Sequence, residues 1–319
     1  MSLIEGVAGK RAVLAASTGG HLAQMHRIAP DLGLSGPPLW ITFDNAQSRA
    51  ILSKEEVLFV PYIAPRDYGN LIRSVRPIYR ALDRFDYDVA ISTGAALALA
   101  VLPLAKAQGK DGVYIESVSR FNGPSLSGRL LARFPGVQTY TQHRAWSSTK
   151  WPFRFSILDD YIAMPSAAPQ SDRLKVFVTL GTIRPYRFDA LVDALLAVLP
   201  SSSEVVWQLG QTSRSDLPGD IYTSLPGPDF DQYVDWADVV VTHAGVGSAM
   251  RILELGKSPL MVPRRAARRE HVDDHQLQIA EFLNSKDLAI CREAGDISVE
   301  DLIAAGSMRI RDTRAGVYQ

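Results

Sequence analysis

One cysteine, Cys291, stands in 319 residues, which excludes an internal disulfide and suits a reducing compartment. The longest apolar run, residues 95–105, falls well short of the ~20 residues that cross a bilayer. Residues 1–11 lack the apolar core of a secretory signal, and no repeat of solenoid period is present. The dinucleotide pattern G-x-G-x-x-G is missing, which argues against a nicotinamide site even with Asp44 at a ribose-like distance. Gly256-Lys-Ser258 ends like a P-loop, but Arg251 occupies the position of its first glycine, so that reading fails too. Net charge is absent as well, with 34 basic and 34 acidic residues.

What is present is a globular composition, 46% apolar, on a chain long enough for two domains. The charge is unevenly placed. Residues 1–165 carry 18 Lys+Arg and 13 Asp+Glu, a net of +5; residues 166–319 carry 16 and 21, a net of −5. The basic half argues for an anionic partner or surface. Residues 165–172 (Pro-Ser-Ala-Ala-Pro-Gln-Ser-Asp) read as a linker, dividing a domain over 1–165 from one over 173–319. In both halves short apolar strands alternate with helices, the pattern of an α/β protein with parallel sheets.

The second half centres on residues 239–263. Three valines, 239–241, suit a buried parallel strand. A turn of small residues follows through Ser248, then a helix to Leu255, stopped by Gly256, then a strand over 260–262. Gly245 and Gly247 allow close approach of a ligand, and the helix start favours a diphosphate; glycines kept for packing alone are the competing reading. Past the last strand, Glu270-His-Val-Asp-Asp-His-Gln276 forms a polar cluster where open α/β sheets bind ligands. His271 and His275 lack a clear third metal ligand, so hydroxyl recognition by Asp274 and Gln276 is the better fit.

Thr242-His-Ala-Gly-Val-Gly-Ser248, Leu253-Glu-Leu-Gly-Lys257, Val262-Pro-Arg264 and Asp274-His-Gln276 resemble the donor half of family 28 glycosyltransferases. Val178-Thr-Leu-Gly-Thr182 resembles the opening of the catalytic subunit of the dolichol-linked N-acetylglucosamine transferase. In the first half, Ser17-Thr-Gly-Gly-His-Leu-Ala-Gln-Met25, Pro65-Arg66, Ser92-Thr-Gly94, Tyr114-Ile-Glu-Ser117 and Ser125-Leu-Ser-Gly-Arg-Leu-Leu131 resemble its membrane-recruiting partner subunit. The chain thus resembles a fusion of the two subunits, and also bacterial exopolysaccharide transferases.

The resemblance implies a GT-B fold, two Rossmann-like doubly wound domains facing each other across a cleft. It implies a UDP-sugar as co-substrate, with no cofactor, no metal and no nucleic-acid partner. Donor contacts are expected at Gly181, Thr182, His243, Gly245, Gly247, Ser248, Arg251, Glu254, Asp274 and Gln276, and acceptor phosphate at Thr18, Gly19, Gly20, Thr93 and Gly94. The turn at residues 225–228 is expected near the uracil. The sequence departs from the family at one point: a ribose-holding glutamate is replaced by Arg251, with Glu254 the nearest carboxylate.

Transfer needs a base for the acceptor hydroxyl and support for the departing diphosphate. His21 and Glu116, both expected at carboxyl ends of strands, are the candidate bases; acceptor phosphate is the lesser one. Binding acceptor phosphate is the competing role for His21, and pairing with Arg120 that for Glu116. Residues 117–158 hold six basic side chains, Arg120, Arg129 and Arg133 among them, and no acid. With Leu126, Leu130, Leu131 and Phe134 interleaved, they read either as a solvated helix or as a contact with an anionic membrane. The resulting expectation is an inverting hexosyltransferase acting on a polyprenyl-linked acceptor at the cytoplasmic face of the membrane. An epimerase of the same fold and a non-catalytic scaffold subunit are the alternatives.

Overall fold

A computed structural model describes residues 3–64, 67–181, 185–271 and 275–314, the side chains of Tyr68 and His275 excepted. The chain divides into two compact units, Met1–Asp159 and Asp160–Gln319.

The first unit is built on short, wholly buried strands. β1 (Ala12–Ala16), β2 (Leu39–Phe43) and β4 (Val89–Gly94) have every residue buried, as expected for parallel strands covered on both faces. With β3 (Glu56–Val60), β5 (Asp111–Ile115) and β6 (Val137–Tyr140) they form one sheet in the order β3-β2-β1-β4-β5-β6. The pairings are parallel throughout. α1 (Gly20–Ile28) and α2 (Ala46–Ile51) follow the first two strands. α3 (Tyr68–Arg84) packs on α4 (Ala98–Ala107), which packs on α5 (Leu126–Leu131).

The second unit repeats the plan. β7 (Tyr161–Pro165) comes first in the chain and stands apart from the main sheet. β8 (Lys175–Thr179), β9 (Glu204–Gln208), β10 (Asp220–Tyr222), β11 (Val239–His243), β12 (Leu260–Val262) and β13 (Ile290–Cys291) lie in the order β10-β9-β8-β11-β12-β13. The helices are α6 (Asp189–Val198), α7 (Gly227–Trp236), α8 (Val246–Glu254), α9 (His275–Ser285) and α10 (Val299–Gly306). β14 (Met308–Asp312) pairs antiparallel with β7. That ribbon draws residues 161–165, read from sequence as the end of the first domain, into the second unit, so the boundary falls at Asp159/Asp160.

Both sheets have the doubly wound order in which the chain leaves the first strand in one direction and returns on its other side. The switch point lies between β1 and β4 in the first unit and between β8 and β11 in the second. In such sheets ligands bind at the switch point, outside the carboxyl ends of the strands.

Candidate active site

At the first switch point, β1 ends in the turn 17–19 and α1 starts at Gly20. Gly19 has φ of +89°, a left-handed conformation open to glycine. It places His21 in the first turn of α1, facing the end of β4. His21 Nδ1 lies 2.7 Å from the Thr93 carbonyl oxygen, and the Thr93 hydroxyl donates to the His21 carbonyl at 2.8 Å. A carbonyl only accepts, so Nδ1 carries a proton. Gly94 completes the seat: a Cβ there would come within 2.9 Å of the ring.

The residues expected on acceptor phosphate divide. Thr93 is fully buried and commits its hydroxyl and its carbonyl to His21, so it positions the ring. Gly94 accepts from the Ser17 N–H at 2.8 Å and backs the same ring. Thr18 and Gly20 remain partly accessible. The Gly19 N–H donates to Gln47 Oε1 at 2.6 Å, a partner the sequence reading missed.

Glu116, the other candidate base, is buried at the end of β5. One oxygen accepts from Tyr114 Oη (3.2 Å) and the Ser117 N–H (3.1 Å), the other from the Ser125 N–H (2.8 Å) and Ser125 Oγ (3.0 Å). Burial pushes its carboxyl above the ordinary range, an effect that the Ser125 and Ser117 hydrogen bonds offset only in part. Ser125 caps α5 through the Gly128 N–H. Glu116 therefore anchors the start of α5. Behind it, buried Gln24 of α1 donates to Ser117 Oγ at 3.1 Å and accepts from the Val118 N–H at 2.9 Å, tying the helix of His21 to the loop after β5.

α5 buries Leu131 but leaves Leu126 61% and Leu130 47% exposed, with Arg129 and Arg133 also exposed. A helix packed on its apolar side would hide those leucines. Arg120 is partly buried, and its carbonyl accepts from Trp146 Nε1 at 2.8 Å. The sequence reading missed a second such ridge on α3, where Ile72, Val75 and Tyr79 are exposed among Arg73, Arg76 and Arg80. The one-turn spacing of these apolar residues was there to be read, but an amphipathic helix is ordinarily turned inward.

In the second unit the glycine turn after β11 has the expected strand–turn–helix form. His243 ends β11, buried, with Nδ1 3.3 Å from the Thr179 carbonyl oxygen of β8. Its ring fills the gap between two glycines. A Cβ at Gly181 would stand 2.4 Å from the ring and one at Gly245 2.3 Å. Burial and the nearby Arg264 charge pull its imidazole down to about 3, so it is neutral at physiological pH. Gly245, Gly247 and Ser248 are partly accessible around the start of α8, whose first N–H groups lack helical partners.

Arg251 and Glu254, both expected on the donor, are partly accessible and joined to each other. Arg251 forks onto Asp231 of α7 through Nε (2.8 Å) and its second terminal nitrogen, and also donates to Glu254 at 3.1 Å. Gln276 is buried and accepts from the Arg264 N–H at 3.3 Å. Thr182, Asp274 and the motif residues Pro65 and Arg66 lie outside the described residues.

Two Asp-x-Asp triplets occur, and neither sits at a carboxyl strand end. Asp86 and Asp88 precede β4 and pair with Arg11, and Asp229 and Asp231 lie on α7. Among the described residues no cluster of three or more His, Cys, Asp or Glu is arranged to hold a metal.

Residues 175–307 match the glycosyltransferase family 28 C-terminal domain. The chain carries that family's C-terminal domain and is a glycosyltransferase. The glycosyltransferase is 25% identical over 331 residues to the UDP-N-acetylglucosamine--N-acetylmuramyl-(pentapeptide) pyrophosphoryl-undecaprenol N-acetylglucosamine transferase of Burkholderia thailandensis, covering 90% of this chain and 84% of that protein. In fold it is similar to MurG of Acinetobacter baumannii, with a TM-score of 0.57 at 13% identity over 96% of this chain and 95% of that one. The UDP-GlcNAc 2-epimerase of Methanocaldococcus jannaschii shares the fold at TM-score 0.54 and 11% identity, over 92% and 91% of the two chains. Such neighbours place the glycosyltransferase in the GT-B class, with two Rossmann-like units.

Proposed function

We propose that this glycosyltransferase moves a hexosyl group from a UDP-sugar to a lipid-linked acceptor, with inversion and without a metal. The second unit holds the donor and the first activates the acceptor. The observation that carries the reading is the seat of His21 at the first switch point, where its Nδ1–H is held by the Thr93 carbonyl.

In the proposed step the acceptor hydroxyl gives its proton to His21 Nε2 while its oxygen forms a bond to the anomeric carbon of the donor. The bond from that carbon to the diphosphate oxygen breaks, its electron pair leaving with UDP. A single displacement inverts the anomeric centre. The diphosphate is received by the glycine turn and the N-terminus of α8, where main-chain N–H groups and the helix dipole favour anions. Glu116 contributes by fixing α5 and the loop before it. The exposed ridges of α5 and α3, each carrying arginines, suit an anionic membrane surface. No helix among the described residues is long and apolar enough to cross a membrane, and the proposed location is peripheral, on the cytoplasmic face.

The test is a screen of UDP-sugars against polyprenyl-linked sugar acceptors, with chelator in parallel and the product anomer assigned by NMR. One donor–acceptor pair should give an inverted product at an unchanged rate in EDTA. A retained anomeric centre, or activity abolished by chelator and restored by a divalent ion, sinks the corresponding part of the reading. Interconversion of UDP-sugars without an acceptor would favour the epimerase instead.

A further inference from the structure

Arg264 follows β12 and is completely buried. Its guanidinium donates to three main-chain carbonyls: Leu180 at 2.6 Å, Tyr186 at 3.0 Å and Glu270 at 3.1 Å. Its own N–H donates to Gln276 Oε1. Leu180 and Tyr186 come after β8, Glu270 after β12, and Gln276 lies in the first turn of α9. The ring of Phe188 covers one side, 5.2 Å from the guanidinium carbon.

Among the described residues no carboxylate pairs with Arg264, and its Nε has no hydrogen-bond partner. Glu270 is the carboxylate that acts on it through space, while Glu270 Oε2 accepts from the Arg265 N–H. Burying a cation without a paired anion is costly, and proteins ordinarily pair such charges or do without them. The guanidinium's donors serve the three carbonyls, and its charge comes buried with them. Burial pulls the guanidinium down to about 10, so it stays charged at neutral pH. That charge is felt at the neighbouring glycine turn, where it disfavours protonation of His243.

We propose that Arg264 is a positioning residue for the donor, tying Leu180 and Tyr186 to Glu270 and Gln276 and supplying the positive charge that favours a nucleoside diphosphate over a neutral nucleoside. This rests on the assignment of the donor to the second unit. The charge acts most on the leaving group, whose negative charge grows as the glycosidic bond breaks.

The experiment is calorimetric titration of the full chain with UDP and with uridine, for wild type, Arg264→Lys and Arg264→Met. Arg264→Met should weaken UDP about tenfold more than uridine, whereas Arg264→Lys at pH 7 should keep the preference within about threefold. Equal weakening of both ligands in Arg264→Met reduces Arg264 to a structural hub and overturns the proposal. If Arg264→Met does not fold, Arg264→Lys decides by pH, since a buried ammonium without a paired carboxylate loses its proton early. Its preference for UDP should fall between pH 7 and about pH 9 while that of wild type does not; a flat preference overturns the proposal. Wild type that binds neither ligand would instead count against the donor assignment itself.

Discussion

His21 and Thr93 are joined twice, ring Nδ1 to carbonyl oxygen at 2.7 Å and hydroxyl to main-chain carbonyl at 2.8 Å. The second unit has a counterpart across its own switch point, His243 Nδ1 to the Thr179 carbonyl oxygen at 3.3 Å. In each sheet the link crosses between the first strand side and the fourth. The two rings differ in surroundings: His21 is partly exposed, whereas His243 is buried between glycines beside a buried arginine.

His21→Ala should lower turnover at saturating donor by about 10²–10⁴, the usual range for a lost general base, with UDP affinity near wild type. Thr93→Val keeps the carbonyl that orients the ring and should cost far less. Single-turnover rates with UDP calorimetry would check both. Near-normal turnover in His21→Ala would pass the role of base to acceptor phosphate.

His243 sets a pH dependence of stability. Its folded-state pKa of about 3 lies below the unfolded value, so the unfolded chain binds the proton more readily. Stability is therefore retained above about pH 6.5 and lost as pH falls toward 3, by on the order of a few kcal/mol. His243→Asn should flatten the acid side of the stability curve relative to wild type. Urea midpoints between about pH 7 and pH 4 would show it, and parallel curves would refute it.

Gly245→Ala should destabilise by about 1–3 kcal/mol, because a new methyl meets the His243 ring in a packed site. Backbone strain is not the cause, since Gly245 has φ of −80°. The cost should shrink when His243→Ala removes the ring, giving a non-additive double-mutant cycle. Additive costs would mean that the methyl is resisted by something other than the histidine.

Membrane contact should involve α3 as well as α5. Arg129→Glu with Arg133→Glu should weaken binding to anionic vesicles by about 1 kcal/mol or more per reversed charge. Ile72→Ser with Tyr79→Ser should weaken it with little effect on fold, because both side chains are exposed. Co-sedimentation with phosphatidylglycerol vesicles at low and physiological salt would test this. Unchanged binding in both pairs would leave the ridges as solvated surface.

The sequence alone determined the class of the fold, because buried parallel strands are written as short apolar runs and their glycine turns stand at the carboxyl ends. Residues 39–43 and 260–262 were placed as β2 and β12, and the motif around Gly245 as a strand, turn and helix. It also singled out His21, whose neighbours Gly19 and Gly20 lie beside it in the chain. What it did not determine was pairing over long separations. Thr93 seats His21 from 72 residues away, Asp231 draws Arg251 into an ion pair from 20 residues away, and β14 takes β7 into the second unit across most of its length. A burial decision is likewise invisible in one dimension. Glu116 and Arg264 are ordinary charged residues in the sequence, and only packing makes the first an anchor and the second a buried cation. The physical reason is that strand and turn preferences are local, whereas hydrogen-bond partners and desolvation belong to whatever the folded chain brings alongside.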